Sequence, residues 1–314
     1  MKRFCYFFIS FALISSVAFA QKLSVVETVR ITDKSQGEFY FPKATPDGSK
    51  IFFTTSNYNG LWYYDLASKK IVSFTSEQGA GYEYAFSNDS KSVIYRVNNF
   101  SKSGMRASQT LFQKNIQTSQ KQTLETGREL STPKVLASNK IAYTANSRVV
   151  LKNDGTSLKK TAKTQTVSDA VVYIEDQKIV LYSNGSKKVL APLGTGNYIW
   201  PSISPDGTKL LFTLAGKGTY VSDLQGKVLL KLGYANAPKW SPDGKWITYM
   251  VDKDNGLNVT GSDIYAVSAD GARKYQLTST NDLYEMHPEW TNDGNGIVFH
   301  SDEGNIYLMK LRID

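Results

Sequence analysis

Cysteine is almost absent from this sequence of 314 residues, which has one cysteine, two histidines and nine prolines. The cysteine, Cys5, lies in an apolar N-terminal stretch that follows two basic residues and ends in Ala18-Phe19-Ala20. This pattern predicts a secretory signal peptide over residues 1–20, with cleavage after Ala20. The remainder, residues 21–314, would then contain no disulfide, so its stability must come from a packed core. We therefore expect a periplasmic or secreted protein.

Long apolar runs are also lacking after residue 20, so we expect no membrane-spanning segment once the signal is removed. Loss of the two basic residues of the signal lowers the formal charge from +9 to +7. The lysines are scattered along the chain, whereas a nucleic-acid partner would favour a clustered basic patch. We therefore predict no nucleic-acid partner.

Familiar catalytic patterns are missing as well. The sequence has no G-x-S-x-G elbow, no phosphate-binding P-loop and no H-E-x-x-H pattern. With two histidines and no cysteine after residue 20, few side chains remain for acid–base chemistry near neutral pH. The sequence predicts no catalytic residues and no cofactor.

What the chain does contain is one short pattern, repeated. A proline opens a short strand, a turn follows, and an apolar run rich in β-branched and aromatic residues comes next. The turn is Pro-Asp-Gly three times and Asn-Asp-Gly once, a composition that suits a tight turn between two strands. Eight of the nine prolines occupy the strand-opening position or the turn: Pro42, Pro46, Pro133, Pro201, Pro205, Pro238, Pro242 and Pro288.

Further strand-like runs follow most copies, which gives units of four short strands spaced about 30 to 50 residues apart, as in a β-propeller. We predict an all-β fold with a single propeller domain over residues 21–314. Seven blades are favoured, with six as the alternative because the unit at Ala170–Leu190 has no clean first strand. In the unit that starts at Pro133, the turn is one residue shorter than in the other copies.

The last unit ends after its third strand. The run Thr28–Thr32 near the N-terminus precedes the Asp47-Gly48 turn of the first unit. The number of residues between them is the same as between Lys274–Thr278 and the Asp293-Gly294 turn of the last unit. The sequence therefore predicts that the N-terminal strand completes the C-terminal blade and closes the ring, which removes the exposed sheet edges.

The run W-S-P-D-G-K-W-I-T-Y, followed by S-D-I-Y-A-V-S-A-D-G and Q-L-T, resembles the propeller repeat of the TolB family. The resemblance covers residues 21–314 and implies a propeller that binds an envelope protein through one face. TolB proteins carry an α/β domain before the propeller, which has no counterpart here. The same repeat also occurs in lyases and in peptidase-associated propellers, so the resemblance implies the fold more firmly than the role.

Tyrosines recur just before the predicted first strands, where a propeller gathers its loops around the mouth of the central channel. Tyrosine combines a large apolar ring with a polar tip, which suits the binding of a peptide or a sugar. A histidine and two acidic residues accompany them. The predicted binding residues are Tyr40, Glu83, Tyr198, Tyr234, Tyr284, Glu285 and His287.

A second candidate site is a hairpin with aspartates at alternate positions. Carboxylates spaced in this way can converge on calcium, and a glycine permits the sharp turn. The residues are Asp252 and Asp254, with Asp263 returning along the next strand. Hairpin tips also use such residues without any metal, so calcium is the lesser alternative and no other metal is predicted.

These features favour a non-catalytic scaffold that binds an envelope protein or peptide. Two alternatives remain: a lyase or hydrolase acting at the central channel, metal-dependent or not, and a carbohydrate-binding module that uses the tyrosines. The partner and the oligomeric state do not follow from the residues.

Overall fold

A computed structural model of the chain describes residues 22–153 and 169–314. The predicted signal peptide lies outside these residues. The described chain forms seven antiparallel sheets around one axis, so the seven-bladed all-β propeller expected from the repeats is confirmed. Within the described ranges there is no α-helix, and no helix is long and apolar enough to cross a membrane.

The strands are numbered in chain order and grouped into blades 1 to 7. Blade 1 contains β2 (Tyr40–Ala44), β3 (Lys50–Thr54), β4 (Leu61–Asp65) and β5 (Lys70–Thr75). Blade 2 contains β6 (Ala85–Phe86), β7 (Ser92–Phe100), β8 (Arg106–Asn115) and β9 (Lys121–Gly127). Blade 3 contains β10 (Lys134–Val135), β11 (Lys140–Ala145) and β12 (Arg148–Asn153). Blade 4 contains β13 (Val171–Glu175), β14 (Lys178–Ser183) and β15 (Ser186–Leu190).

The remaining blades have four strands each. Blade 5 contains β16 (Tyr198–Ile203), β17 (Lys209–Leu214), β18 (Gly218–Asp223) and β19 (Val228–Gly233). Blade 6 contains β20 (Asn236–Trp240), β21 (Trp246–Asp254), β22 (Val259–Ser268) and β23 (Lys274–Gln276). Blade 7 contains β24 (Glu285–Trp290), β25 (Gly296–Ser301), β26 (Ile306–Ile313) and, on its outer edge, β1 (Leu23–Arg30). A short 3-10 turn, Lys34–Gln36, leads from blade 7 to blade 1.

The repeated turn joins the first and second strands of a blade through a fixed set of hydrogen bonds. In blade 6 the Ser241 hydroxyl donates to Asp243 at 2.6 Å and accepts from the Trp246 amide at 2.9 Å. Gly244 has φ 70°, a left-handed conformation that glycine adopts without strain. The Ser/Thr-x-Asp clasp recurs in the first turn of five blades: Thr45 with Asp47, Ser87 with Asp89, Ser204 with Asp206, Ser241 with Asp243, and Thr291 with Asp293.

Ring closure by the N-terminal strand is confirmed. β1 pairs antiparallel with β26, with Leu23 opposite Ile313 and Arg30 opposite Tyr307. Beyond the two strands, Lys22 and Asp314 exchange two backbone hydrogen bonds of 2.9 Å. The strand begins at Leu23, five residues before the predicted run, because Leu23 is buried in the core of blade 7. The closing blade is therefore built from both ends of the described chain.

Blades 3 and 4 depart from the expected four strands, since each has three strands among the described residues. In blade 4 the expected lack of a clean first-strand pattern does not mean that the strand is missing. β13 takes the innermost position, where the Val172 carbonyl accepts a hydrogen bond from Lys134 of the inner strand of blade 3. Among the described residues, no strand lies outside β15, because the short segment 191–197 leads directly from β15 into β16.

Each first strand that contains the opening proline carries a β-bulge just before it. Phe41, Trp200, Ala237 and His287, which precede these prolines in blades 1, 5, 6 and 7, have φ between 48° and 53°. The strand register shifts at each of these points. Proline donates no ladder hydrogen bond, and a bulge redirects the side chains on either side of it. The bulges thus determine which residues face the channel.

The antiparallel order gives the propeller two distinct faces. We call the face with the turns between first and second strands the turn face. The opposite face carries the loops before the first strands and between the second and third strands, and we call it the loop face. Between neighbouring blades lie separate apolar clusters, such as one built on Trp246, Phe299 and Met309.

Candidate functional site

The loop face carries a cluster of rings over the junction of blades 7 and 1. Phe41 lies at its centre, with its ring centroid 4.7 Å from Tyr58 and 4.7 Å from His287. Tyr40 meets His300 edge-on at 5.1 Å, and Tyr82 meets Tyr58 edge-on at 5.0 Å. We call this set the loop-face cluster: Tyr40, Phe41, Tyr58, Tyr82, His287 and His300.

Both histidines of the cluster are neutral near pH 7. Burial and the positive charge of Lys239 lower the pKa of His287 to about 4. Burial, and after it the neighbouring His287, lower the pKa of His300 to about 3. His300 Nδ1 lies 3.0 Å from the Ser301 carbonyl, which fixes the proton on that nitrogen because a carbonyl only accepts. The imidazoles therefore act as polar aromatic rings and add no charge.

Two further tyrosines border the cluster. The Tyr234 hydroxyl donates to Asp252 at 2.9 Å, and its side chain is 53% exposed. The Tyr284 carbonyl accepts from the Asp302 amide, and the Tyr284 amide donates to the Asp302 carboxylate. The Asp302 carbonyl also accepts from the Tyr40 hydroxyl at 3.5 Å. The structure thus places Tyr40, Tyr234, Tyr284 and His287 on the loop face, and their role in binding stays a prediction.

Two of the predicted residues are not at the surface. Tyr198 is 1% exposed, and its hydroxyl is held by the Leu193 amide and the Gly194 carbonyl. Glu285 is also 1% exposed, and one oxygen accepts from Thr280 at 2.8 Å. Both are the first residues of inner strands, β16 and β24, so their side chains pack between blades. A ligand on the loop face cannot touch them in this structure.

The three aspartates proposed for calcium do not converge. Asp252 accepts from Tyr234 and Asn236, and Asp254 accepts from the Gly256 amide at the hairpin tip. Asp263 faces the other side of the sheet, because Ser262 is the residue opposite Asp252 and side chains alternate along a strand. Within residues 22–153 and 169–314, no three His, Cys, Asp or Glu residues are grouped to hold a metal. Calcium binding at these aspartates stays a prediction.

Below the loop-face cluster, charged side chains project into the central channel. Lys43 pairs with Glu83 at 3.3 Å, and Lys239 pairs with Glu289 at 3.0 Å. Lys134 donates to the Val172 carbonyl at 2.7 Å. We call this set the channel ring: Lys43, Glu83, Lys134, Lys239 and Glu289.

The ring residues influence one another strongly. Lys43 and then Lys239 hold the pKa of Glu83 well below its usual value. Burial disfavours the charge of Lys239, but Glu289 and Glu83 outweigh it and keep its pKa above the ordinary value. Burial lowers the pKa of Lys134 to about 8 against the attraction of Glu83. At pH 7 the ring therefore contains charged lysines and at least one firmly ionised glutamate.

A cavity of about 480 Å³ extends from the channel ring towards the turn face. Six of the seven blades contribute to its lining, and blade 4 does not. Its wall is largely apolar and aromatic towards the turns, while the lysines and glutamates form its inner end. The apolar wall residues include Phe86, Val135, Ile203, Trp240 and Trp290.

Sequence reasoning placed Glu83 at the loop-face mouth, whereas its carboxylate belongs to the channel ring. It missed the lysines, although the repeats contain a signal for them. The three lysines and Glu289 occupy the same position of the repeat, directly after the opening proline. Smaller residues occupy it in blades 2 and 5, where in blade 2 it follows Tyr84. The residues at this position are Lys43, Ala85, Lys134, Ser202, Lys239 and Glu289.

No known protein-family profile matches the chain, and no curated protein matches its sequence significantly. Solved propellers are similar in shape. TolB from Acinetobacter baumannii matches with 18% identity and a TM-score of 0.49, over 77% of this chain and 55% of that one. An oligogalacturonate lyase in complex with manganese matches with 14% identity and a TM-score of 0.47, over 88% of this chain and 78% of that one. A Vibrio parahaemolyticus oligogalacturonate lyase matches with 12% identity and a TM-score of 0.46, over 90% and 80%. This chain thus spans about half of the TolB chain.

Proposed function

We propose that this chain is a non-catalytic propeller that binds a protein partner in the bacterial cell envelope through its loop face. The observation that carries the proposal is the loop-face cluster with its tyrosine border. Tyr82 is 42% exposed and packs edge-on against Tyr58, which in turn stacks on Phe41. Tyr234 is 53% exposed and is held by its hydrogen bond to Asp252. Exposed tyrosines on a rigid base are a common anchor in protein interfaces.

The charges at the border support an interface with a polar rim. Arg96 lies over the Tyr82 ring, with 5.5 Å between the guanidinium carbon and the ring centroid. On the opposite side, Asp252 accepts from Tyr234. Aromatic anchors surrounded by polar groups of both signs are typical of transient protein interfaces. The predicted signal peptide supports the location in the envelope.

Site-specific photo-crosslinking tests this proposal. A photoreactive amino acid in place of Tyr82 should capture one envelope protein in cells. The matched control is the same amino acid in place of Leu229, which is 52% exposed on the outermost strand of blade 5. The capture at position 82 should weaken when Tyr234→Ala is added. Equal capture at both positions would contradict a loop-face interface.

An enzyme acting at the channel is the second candidate, and one observation favours it. The neutral imidazole of His287 lies near Lys239 and Glu289, so an imidazole, an amine and a carboxyl group are close together at the channel. Turnover of a polysaccharide or an ester that disappears in His287→Gln would establish the enzyme. The same result would contradict the scaffold.

The carbohydrate-binding alternative makes a different prediction for the same surface. Glycan binding lost in Tyr82→Ala and Tyr234→Ala, without any protein crosslink, would favour a carbohydrate-binding module. Retained circular dichroism and melting temperature in these variants would show that the ring still folds.

A further inference from the structure

The channel ring contains one more cation than anions. Its three lysines face two glutamates, and the nearby His287 adds no charge because its pKa is about 4. The inner end of the channel therefore carries a net positive charge of about one unit at pH 7. These side chains are only partly buried, and the excess positive charge at the end of the cavity attracts an anion into the channel.

Lys134 is the lysine that lacks a carboxylate. Lys43 and Lys239 each have a glutamate within 3.3 Å, whereas no carboxylate of the described residues lies within ion-pair distance of Lys134. Its ammonium group has three hydrogens to donate, and the Val172 carbonyl accepts one at 2.7 Å. Lys134 can thus donate its other two hydrogens to a ligand while one hydrogen bond holds the ammonium group to the inner strand of blade 4.

The space next to Lys134 has the size and lining of a small-molecule site. The cavity of about 480 Å³ falls within the range of roughly 300 to 1,000 Å³ that is usual for such sites. Trp240 and Trp290 contribute aromatic surface to its wall, and Phe86, Val135 and Ile203 are also apolar. A ligand that pairs with Lys134 at one end of the cavity and packs against the apolar wall at the other has an anionic group and an apolar body.

We propose that the channel binds a small organic carboxylate, with its carboxylate against Lys134 and its apolar part against the wall towards the turn face. This site lies inside the channel and shares no residue with the loop-face cluster. The proposal therefore does not depend on the protein interface proposed above. An acidic segment of a protein is the competing occupant, but a cavity of about 480 Å³ matches a compact ligand better than an extended chain.

A panel of matched ligands tests the proposal on the folded chain. Aromatic and aliphatic carboxylates of about 8 to 16 heavy atoms, such as indole-3-acetate, are titrated by calorimetry next to their neutral primary amides. At least one carboxylate should bind roughly ten times more tightly than its amide, because the amide loses the charge-assisted contact with Lys134. Inorganic phosphate and a glutamate-rich peptide are titrated in parallel.

Three variants connect the binding to Lys134. Lys134→Met keeps the aliphatic stem and removes the charge, so carboxylate affinity should fall about tenfold or more. Lys134→Arg keeps the charge and should retain most of the affinity. The matched control is Lys188→Met, in β15 of blade 4. Lys188 also donates to a backbone carbonyl, that of Leu224 at 3.3 Å.

The pH dependence gives a readout that a structural role of Lys134 would not produce. Binding needs the ammonium form, so affinity should fall by roughly tenfold or more as the pH rises from 7 through 8 to 9.5. Lys134→Arg should not show this fall, because arginine stays charged. The other charged groups facing Lys134 are Glu83, Lys43 and Lys239, with Glu289 behind them.

Each remaining outcome overturns the proposal. If no carboxylate in the panel binds, the channel is not a carboxylate site. If phosphate binds as tightly as the best carboxylate, the site selects charge alone. If only the glutamate-rich peptide binds through Lys134, the occupant is a protein segment. Loss of binding in Lys188→Met as well would show a general effect on the fold.

Discussion

Blades 5 to 7 differ from blades 3 and 4 in the number of strands and in the turn between the first two strands, although all belong to one ring. Blades 5 to 7 have four strands and the Ser/Thr-x-Asp clasp in their first turns. Blades 3 and 4 show three strands each among the described residues, and the first strand of blade 3 has two residues. The turn of blade 3 is one residue shorter and uses Asn139 at φ 59° in place of glycine.

The difference shows which parts of a blade the ring requires. The inner strand is present in every blade and contributes channel residues even where the repeat is weakest, as Lys134 shows. Among the described residues, blade 4 has no strand outside β15, and the chain continues from β15 directly into blade 5. Blade 7 differs because its outer strand also joins the two ends of the ring. The same structural position is therefore dispensable in one blade and closes the ring in another.

The largest effect on stability is expected for a substitution in blade 7, the blade that closes the ring. Leu23 is 2% exposed and packs with Trp246, Phe299 and Met309, so Leu23→Ala should lower the free energy of unfolding by about 2 to 4 kcal/mol. Chemical denaturation followed by circular dichroism measures the change. Val26→Ala in the same strand is the control, because Val26 is 63% exposed and its loss should change stability by less than about 0.5 kcal/mol. Equal effects would mean that β1 does not hold the ring closed.

A smaller effect on stability is expected at Glu285, a buried residue of blade 7. Burial raises the pKa of Glu285 to about 7, and its Oε2 meets no partner among the described residues. Because the folded pKa exceeds the unfolded one, the folded state retains the proton, and this contribution is lost as pH rises through 7. Glu285→Gln should therefore stabilise the protein by on the order of 1 to 3 kcal/mol at pH 8.

The advantage of Glu285→Gln should shrink as pH falls towards 5, where the native side chain is protonated in the folded state. Thermal melts of both proteins at pH 5 and pH 8 measure the difference. A stability gain that is the same at both pH values would show that titration of Glu285 is not the cause.

The smallest effect tests the clasped turn that distinguishes the regular blades. Ser241→Ala removes the hydroxyl that donates to Asp243 and accepts from the Trp246 amide, which is buried. The loss should be about 1 kcal/mol, the usual value for a hydrogen-bonding side chain of this kind. Thr208→Ala is the control, because its hydroxyl is exposed and its contact with Asp206 is at the surface. If both variants melt alike, the clasp does not stabilise the regular blades.

Much of the fold could be predicted because one turn and one strand pattern repeat along the chain. The number of blades, the closure by the N-terminal strand and the shortened turn after Pro133 all followed from spacing. The first strand of blade 4 did not, since Val171–Glu175 contains neither the opening proline nor the Pro-Asp-Gly turn. Only its position beside Lys134 identifies it as an inner strand.

The candidate site could be predicted only in part, because the sequence does not show where each inner strand begins. Tyr198 and Glu285 were assigned to loops, but each begins an inner strand, and the alternation of side chains turns both into the space between blades. Tyr234, before β20, stays in the loop and is exposed. The lysines and Glu289 of the channel ring share a position in the repeat, but only the register of the bulged strands shows that this position faces the channel.

The pairing of β1 with β26 has a mechanical consequence. The strands are antiparallel, and Lys22 is hydrogen-bonded to Asp314 at one end of the ladder. A pulling force applied at these two residues loads that end first, so the hydrogen bonds break one after another, as in a peeled strip. Strands pulled along their length would share the load among all their bonds. Under tension between its ends, the propeller should therefore open at blade 7 while the other six blades are still folded.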